Sequence, residues 1–300
     1  MSVKIVTDST ATLTPEQIEQ YDLRRVTLFV VQDGEAEPEL GMDFHAFYSR
    51  LMNLENLPTT SQPTTESMVE TFGEILNAGD DVLGIFVSGG LSGTLDGAHA
   101  AKTIIEEKNP EMLGRIALVD SQSNAMPLTY SVLGAAQMAL DGADLEACRE
   151  KAEYDTSCTR FLFAPKSLEH LARGGRIGRA SAMIGSALKL CPILGPDKNN
   201  GTVHTYAKVR TYPKALKALV KLMLEDAEKS GGLRGVCVHY IAEKEEAEKF
   251  CAEMVKPALA DAYPDIEVGL AAITPTIGTH VGPAVGLAYF SNKPLEKEKV

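Results

Sequence analysis

The first 160 residues alternate short β-rich runs with helical stretches, and this alternation restricts the possible folds more than any other feature. The predicted strands are Val3–Thr7, Val26–Val31, Val82–Val87 and Ile116–Val119, and helical patterns lie near residues 15–21, 43–55, 65–78, 94–107 and 128–153. Strands joined through helices form βαβ crossovers, which require a largely parallel sheet. We therefore predict a Rossmann-like α/β domain over residues 1–160.

The second half has a looser pattern. Strands are predicted at Thr159–Phe163, Thr202–Tyr206, Gly235–Tyr240 and Ile266–Ala272, and long helices at Pro213–Lys229 and Glu243–Val255. The Asn200-Gly201 step suits a hairpin, so we expect the second and third of these strands to pair antiparallel. The pattern predicts an α+β domain with a mostly antiparallel sheet over residues 161–290. A charged tail covers residues 291–300, and Lys293–Val300 is expected to be frayed.

Charge and composition exclude several classes of protein. The net charge of -12 argues against a general affinity for nucleic acid or for an anionic membrane, so an anionic ligand has to be captured locally. No apolar run approaches the roughly 18 residues of a membrane span, and no stable membrane insertion is expected. The N-terminus reaches Asp8 before an apolar region develops, so we expect no signal peptide and a cytoplasmic location.

The cysteines and histidines form no recognisable ligand set. The five cysteines are scattered without a CxxC pair, and the six histidines show no HExxH or comparable spacing. We therefore expect neither a metal nor a redox site, and reduced, mostly buried thiols.

A glycine- and hydroxyl-rich loop, Ser88–Thr94, follows the strand Val82–Val87 and precedes a helix. Unpaired backbone N–H groups and nearby hydroxyls at such a position can bind an anion, and glycine lets a ligand approach closely. The loop contains no Walker motif and no GxGxxG, and it lacks the second glycine of a hydrolase elbow. A plain tight turn with capping residues remains the alternative.

Other segments add polar groups that the fold could bring to the same place. Thr59–Thr65 presents hydroxyls around Pro63, although a helix-capping connection is the simpler interpretation. Asp8 and Asp120 follow predicted parallel strands, at the edge where open α/β sheets bind ligands, although Asp8 also suits a capping role.

Two further segments of the second half carry charged or titratable groups. A short apolar helix ends at Gly174-Gly175 and is followed by arginines, which suit either an anion clamp or solvated surface charge. His280 lies in a Gly/Thr/Pro-rich segment, where a core histidine is less expected than usual.

These segments, taken together, resemble the DegV family. The matching motifs occur in order over essentially residues 1–290, and they read TDSTATL, TSQPT, SGGLSGT, the Asp120-Ser121 pair, LxxLARGGRIG and TPTIGTHVGPAVGLAYF. The resemblance implies a two-domain α/β protein with a ligand tunnel between the domains. It also implies a bound long-chain fatty acid such as palmitate, stearate or oleate, no cofactor, and a lipid-binding protein without enzymatic activity of its own. Its partner would be the ATP-binding subunit of a fatty-acid kinase, which forms acyl phosphate.

The resemblance also assigns roles to particular residues. Thr60 and Ser92 match the hydroxyls that bind the fatty-acid carboxyl. The residues implied near the headgroup or in coupling to the kinase are Ser61, Gly93, Thr94, Arg176 and His280. This loop carries Gly89 where the family more often has a second serine, so we expect slightly changed hydrogen bonding at the headgroup.

Two other classes of function remain open from the sequence. The first is a serine-dependent lipid hydrolase or acyltransferase with Ser92 as nucleophile and His280 as base, since such groups assemble in space from distant positions. The second is a small-molecule phosphotransfer domain related in fold to dihydroxyacetone kinases, whose phosphate and metal motifs are missing here.

Overall fold

The first half of the chain folds around a four-stranded parallel sheet. The structure is a computed structural model that describes residues 2–54, 56–183 and 190–298. In chain order its first elements are β1 (Val3–Asp8), α1 (Pro15–Gln20), β2 (Arg24–Val26), β3 (Phe29–Gln32), β4 (Glu35–Pro38), α2 (Phe44–Leu51), β5 (Thr59–Ser61), α3 (Thr65–Asn77), β6 (Asp81–Phe86), α4 (Thr94–Lys108), β7 (Ile116–Asp120), α5 (Ala125–Leu140) and α6 (Leu145–Ser157). The sheet order is β2-β1-β6-β7, with every pair parallel. The predicted α/β architecture is confirmed.

Two boundaries in this half differ from the prediction. The predicted strand Val26–Val31 divides into β2 and β3, and β3 leaves the parallel sheet to form a small antiparallel sheet of order β4-β3-β5. The predicted helix 128–153 is two helices, because Gly142 at φ +86° ends α5 and the side chain of Asp144 caps α6. The helix predicted near residues 15–21 is present as α1, which begins with a capping box formed by Thr14 and Gln17.

The second half is built on a six-stranded mixed sheet. Its elements are β8 (Thr159–Pro165), α7 (Glu169–Arg173), a 3₁₀ turn (Gly178–Met183), β9 (Cys191–Pro196), β10 (Val203–Val209), α8 (Tyr212–Lys229), β11 (Leu233–Ile241), α9 (Lys244–Phe250), a π turn (Cys251–Val255), α10 (Lys256–Leu259), β12 (Val268–Ala272), α11 (Pro275–Val281) and β13 (Ala284–Ser291). The order is β10-β9-β8-β13-β11-β12, and the pair β11–β12 is parallel whereas the others are antiparallel.

The predicted hairpin is present but joins different strands. The Asn200-Gly201 turn connects β10 to β9, a strand that the sequence pattern did not indicate. The expected pairing of Thr202–Tyr206 with Gly235–Tyr240 is wrong, because β9, β8 and β13 lie between β10 and β11. The run Cys191–Pro196 contains two prolines and a glycine, which weakens any strand signal.

The two faces of this sheet pack against different cores, because side chains alternate along each strand. On β8, Leu162 and Ala164 join the core beneath α8, whereas Phe161 and Phe163 point to the opposite face, toward the first half of the chain. Phe161 and Phe163, on that second face, line the candidate site.

The expectation of a frayed tail is wrong for residues 293–298. Leu295 is buried in the core beneath α8, and the carboxylate of Glu298 is 8% exposed. Glu298 forms an ion pair with buried Arg160 at 2.9 Å and accepts hydrogen bonds from Tyr206 Oη and the backbone N–H of Lys198. Buried ion pairing and apolar contact therefore fix this segment.

Within the described ranges, none of the helices has the length and apolar character needed to cross a membrane.

Candidate functional site

A cavity of about 340 Å³ lies between the two halves of the chain. Its polar lining comes from loops of both halves, and its apolar lining comes largely from the six-stranded sheet and α11. The polar side chains are Thr10, Thr60, Ser61, Gln62, Ser92, Asn124, Arg176, Thr276 and His280; the apolar ones include Leu28, Phe161, Phe163, Leu171, Val203, Ile277 and Val281. Ligand cavities of roughly this size and mixed character suit a small organic molecule with one polar end.

Thr60 and His280 meet across the two halves at the polar end of the cavity. Thr60 lies on β5, and its Oγ1 is 2.7 Å from Nε2 of His280 on α11. Burial, followed by the positive charges of Arg176 and His170, lowers the pKa of His280 from 6.5 to about 4. The imidazole is therefore neutral at neutral pH, and one of its nitrogens carries a proton.

The position of His280 is fixed by close packing around α11. A Cβ atom at Gly174 would lie 2.2 Å from Nδ1 of His280, and one at Gly278 would lie 2.2 Å from the hydroxyl of Tyr48. That hydroxyl donates to the carbonyl oxygen of Ile273 at 2.7 Å. Glycine at these two positions thus allows α7 and α2 to pack directly against α11.

The glycine-rich loop brings Ser92 to the same end of the cavity. Ser92 Oγ is 2.8 Å from Thr94 Oγ1 and accepts the backbone N–H of Thr94 at 3.3 Å. Thr94 is fully buried and does not line the cavity, so it acts on the site only through Ser92. Gly93 lies close to Gln62, since a Cβ there would be 2.1 Å from Oε1 of that side chain, which would have to move.

Two buried or half-buried carboxylates hold the strand ends beneath this loop. Asp8 accepts hydrogen bonds from the backbone N–H and hydroxyl of Thr10 and from the backbone N–H of Val87. Burial raises the pKa of Asp8 to about 6 despite these hydrogen bonds. Asp120 accepts the N–H groups of Gly89 and Gln122. The capping interpretation of Asp8 is the correct one.

Arg176 lies on the outer side of the cavity. Its Nε donates to the carbonyl of Leu91 at 3.3 Å and its Nη1 to that of Gly174 at 2.8 Å, and its side chain is exposed. Arg173 pairs with Glu169 at 2.7 Å on the surface. The side chain of Arg179 lies outside the described residues.

A second cavity, of about 310 Å³, adjoins the first on the side of Arg176. The two share Leu91, Ser92, Gly93, Arg176 and Val203, and the second is otherwise lined by glycines and Thr202. Gly89 lines this outer cavity but not the inner one. The expected change in hydrogen bonding at the headgroup stays a prediction.

Sequence reasoning missed two polar residues of the lining. Asn124 precedes α5 and Thr276 lies in α11, and Asn124 Oδ1 and Thr276 Oγ1 are buried without a partner among the described residues. Asn124 ends a loop and precedes a helix, and that position is a signal that could have indicated a role for it in the site. The sequence pattern around the aromatic pair Phe161 and Phe163 predicts only a strand.

The arrangement does not assemble a Ser92–His280 dyad. The Ser92 hydroxyl is bonded to Thr94, whereas His280 Nε2 is bonded to Thr60. His280 Nδ1 has no hydrogen-bond partner among the described residues, so no carboxylate orients the imidazole as a triad would require. Among the residues that the structure describes, no group of three or more His, Cys, Asp or Glu side chains is placed to hold a metal ion.

Fold and site together define a two-region α/β protein with a cavity that is lined by polar and apolar side chains from both halves of the chain. Residues 2–292 match the sequence profile of the family described as "Uncharacterised protein, DegV family". A DegV domain-containing protein of Clostridium acetobutylicum is 37% identical over 296 residues, which cover 98% of this chain and 100% of that protein. The chain belongs to the DegV family, as the motifs predicted.

Solved structures show the same fold. DegV of Bacillus subtilis, described as a fatty acid binding protein, is 33% identical, with a TM-score of 0.81 over 97% of this chain and 99% of that one. A stearic acid-binding protein of Eubacterium ventriosum is 26% identical, with a TM-score of 0.81 over 97% of this chain and 98% of that one. Structural relatives of this chain are thus fatty-acid-binding proteins.

Proposed function

We propose that this protein binds one long-chain fatty acid in the inner cavity, with its carboxyl at Thr60 and Ser92, and presents that carboxyl to a separate ATP-using kinase. The observation that carries the proposal is the mixed lining. Hydroxyls, an amide and a neutral imidazole come together where Thr60 contacts His280 and Gln62 lies beside Gly93, and aromatic and aliphatic side chains make up much of the remaining lining.

Apolar burial supplies most of the affinity. A sixteen-carbon chain contains about 14 methylenes, and their transfer from water contributes roughly 11 kcal/mol at about 0.8 kcal/mol each. The entropy lost on association and on ordering of the chain offsets several kcal/mol of this contribution. Phe161, Phe163 and Ile277 provide the kind of surface that makes this transfer possible.

The polar end suits a carboxylate rather than an ester. A carboxylate only accepts hydrogen bonds, and charge-assisted hydrogen bonds from hydroxyls are stronger than neutral ones. If His280 Nε2 carries the proton and donates to Thr60 Oγ1, the hydroxyl proton of Thr60 is free to donate to the ligand. The hydroxyl of Ser92 and the side chain of Ser61 lie at the same end.

Two features support a separate kinase partner. The outer cavity leads to Ser92, and the sequence lacks a nucleotide-binding motif. The outer cavity reaches Ser92 and Arg176 from solvent and is lined by glycines, so a phosphoryl donor held by another protein could approach the carboxyl there. No Walker loop occurs in this sequence, which agrees with ATP being bound elsewhere. The product, an acyl phosphate, would serve phospholipid synthesis in the cytoplasm.

Titration of delipidated protein with palmitate, stearate and oleate tests the binding step. Loss of one charge-assisted hydrogen bond in Ser92→Ala should weaken binding about 10- to 100-fold. Thr103→Ala, which removes an exposed hydroxyl from α4, is the control and should bind normally. Equal affinity of Ser92→Ala and the parent would contradict the assignment of the carboxyl site.

Reconstitution with the kinase subunit of the same organism tests the presentation step. Hydroxylamine trapping should reveal acyl phosphate only when ATP, the fatty acid and both proteins are present. Fatty-acid binding without acyl phosphate would leave the carrier role standing and refute the kinase partner. Release of fatty acid from an ester by this chain alone would favour the hydrolase alternative.

A further inference from the structure

A small cavity of about 10 Å³ lies beside the main one, between α11 and the six-stranded sheet. Phe161, Phe163, Ile277 and Val281 line both cavities, so these side chains lie between the two. The small cavity also contacts His239 of β11, which the proposed fatty-acid site does not use.

The position of His239 follows from the strand register. On β11, His239 is paired with Gly286 of β13, and Gly286 is paired with Phe163 of β8. A Cβ atom at Gly286 would lie 2.6 Å from the ring of Phe161, so glycine leaves room for that ring over the sheet. The rings of Phe161 and His239 meet edge to face, with centroids 5.4 Å apart. A ligand that displaces Phe161 would therefore contact His239.

The hydrogen bonding of His239 identifies which of its nitrogens is available. The side chain is 0% exposed, and Nδ1 lies 3.2 Å from the carbonyl oxygen of Ala271 on β12. A carbonyl only accepts, so Nδ1 carries the proton. Burial lowers the pKa of His239 to about 4, which keeps the ring neutral. Nε2 is therefore a bare acceptor, and it receives no hydrogen bond from any described residue.

The surroundings of Nε2 offer no donor of their own. The other lining side chains are aromatic or aliphatic, and Tyr240 belongs to the core on the opposite face of the sheet. An isolated water molecule would find few further polar partners here, whereas buried waters typically make about three hydrogen bonds. An unpaired buried acceptor next to a ligand cavity favours a ligand that brings its own O–H donor.

We propose that this site accepts hydroxylated long-chain fatty acids, with a mid-chain hydroxyl group donating to Nε2 of His239. This inference rests on the proposed fatty-acid function and specifies its substrate class. The chain would extend from Thr60 and Ser92 past Phe161, and the hydroxyl would meet the acceptor between α11 and β11.

Ligands that differ only in their mid-chain group distinguish a hydrogen-bond donor from a group that is polar but cannot donate. Delipidated protein is titrated with stearate, 10-hydroxystearate, 12-hydroxystearate and 10-oxostearate, whose ketone cannot donate. A new hydrogen bond to a buried acceptor should make one of the two hydroxystearates bind about tenfold more tightly than 10-oxostearate. Equal affinities would overturn the inference, including the case in which a lone water molecule satisfies Nε2.

Two variants test whether His239 is responsible. His239→Leu should remove the preference for the hydroxyl while stearate still binds, and His239→Gln, which restores a polar terminus near the position of Nε2, should recover part of it. If His239→Leu fails to fold, the comparison between His239→Gln and the parent decides. A preference unchanged in the variants would contradict the assignment. Stearate binding without a hydroxyl preference refutes only this inference, whereas failure of all four ligands to bind refutes the proposed function itself.

Discussion

Thr60 Oγ1 and His280 Nε2 lie 2.7 Å apart, which joins a strand of the small antiparallel sheet to a helix of the second half of the chain. The contact places one polar pair at the seam between the two halves, at the end of the cavity where Ser92 and Arg176 also lie. A ligand that hydrogen-bonds Thr60 would therefore lie next to residues of both halves. The imidazole has no other hydrogen-bond partner among the described residues, so its orientation depends on Thr60 and on packing.

Replacing Thr60 with valine should weaken fatty-acid binding while preserving the fold. Valine keeps the shape of threonine but removes the hydroxyl, so the carboxylate would lose a charge-assisted hydrogen bond and bind about 10- to 100-fold less tightly. Thr59→Val changes the exposed neighbour on the same strand and is the matched control. Titration with stearate distinguishes them, and equal losses in both variants would show an effect on the strand rather than on the site.

Gly174→Ala should displace His280 without straining the backbone. Gly174 has φ -75°, which alanine adopts easily, but the new Cβ would lie 2.2 Å from His280 Nδ1. We expect weaker fatty-acid binding and a shifted imidazole signal in NMR spectra. Gly73→Ala is the control, since nothing lies within 4 Å of its Cβ and helix α3 should gain up to about 1 kcal/mol. An unchanged His280 signal in Gly174→Ala would contradict the packing described above.

Acidification should destabilise the protein through His280. Its pKa is about 4 in the folded protein and 6.5 as a model value, so between these pH values the unfolded chain binds more protons and the free energy of unfolding falls as pH falls. At about 1.4 kcal/mol per pKa unit, the loss is at most roughly 3.5 kcal/mol. Asp8, whose pKa is raised to about 6, contributes with the opposite sign between about 6 and 3.8.

A comparison of variants separates the contribution of His280 to the pH dependence of stability from that of Asp8. Denaturant unfolding at several pH values should give a smaller dependence on pH in His280→Asn than in the parent, since Asp8 is the same in both. A slope that does not change in His280→Asn would contradict the low pKa of this imidazole.

Glu298→Ala should destabilise the fold although it lies near the end of the chain. Buried Arg160 would lose one of two carboxylate partners and keep Asp226, so the free energy of unfolding should fall by about 2 kcal/mol. Glu296→Ala removes an exposed carboxylate that pairs with Lys229, and a change within about 0.5 kcal/mol is expected. Chemical denaturation of both variants checks this, and equal effects would show that the tail packs more loosely than described.

Local signals allowed much of the fold to be predicted. The capping box of α1, the parallel strands and the Asn200-Gly201 turn depend on neighbouring residues or on simple periodicity, and each is present. Strand β9 and the division of Val26–Val31 depend on which sheet a short segment joins, and that is decided by partners far away in the chain.

The candidate site was only partly predictable for the same reason. Motif resemblance indicated Thr60, Ser92, Arg176 and His280, and the fold brings all four to one cavity. It gave no reason to expect that His280 would bond Thr60 rather than Ser92. His239 lies in an ordinary β-strand pattern that does not single it out, and its unpaired nitrogen becomes evident only from three-dimensional burial.

The central claim, that the inner cavity holds one long-chain fatty acid, is tested most directly by native mass spectrometry of the purified protein, followed by lipid extraction. The account predicts a complex heavier than the polypeptide by the mass of one fatty acid, with a free acid in the extract and a smaller fraction of adduct in Thr60→Val and Ser92→Ala. A protein that carries no acyl lipid and takes up none of the offered fatty acids after delipidation would contradict it.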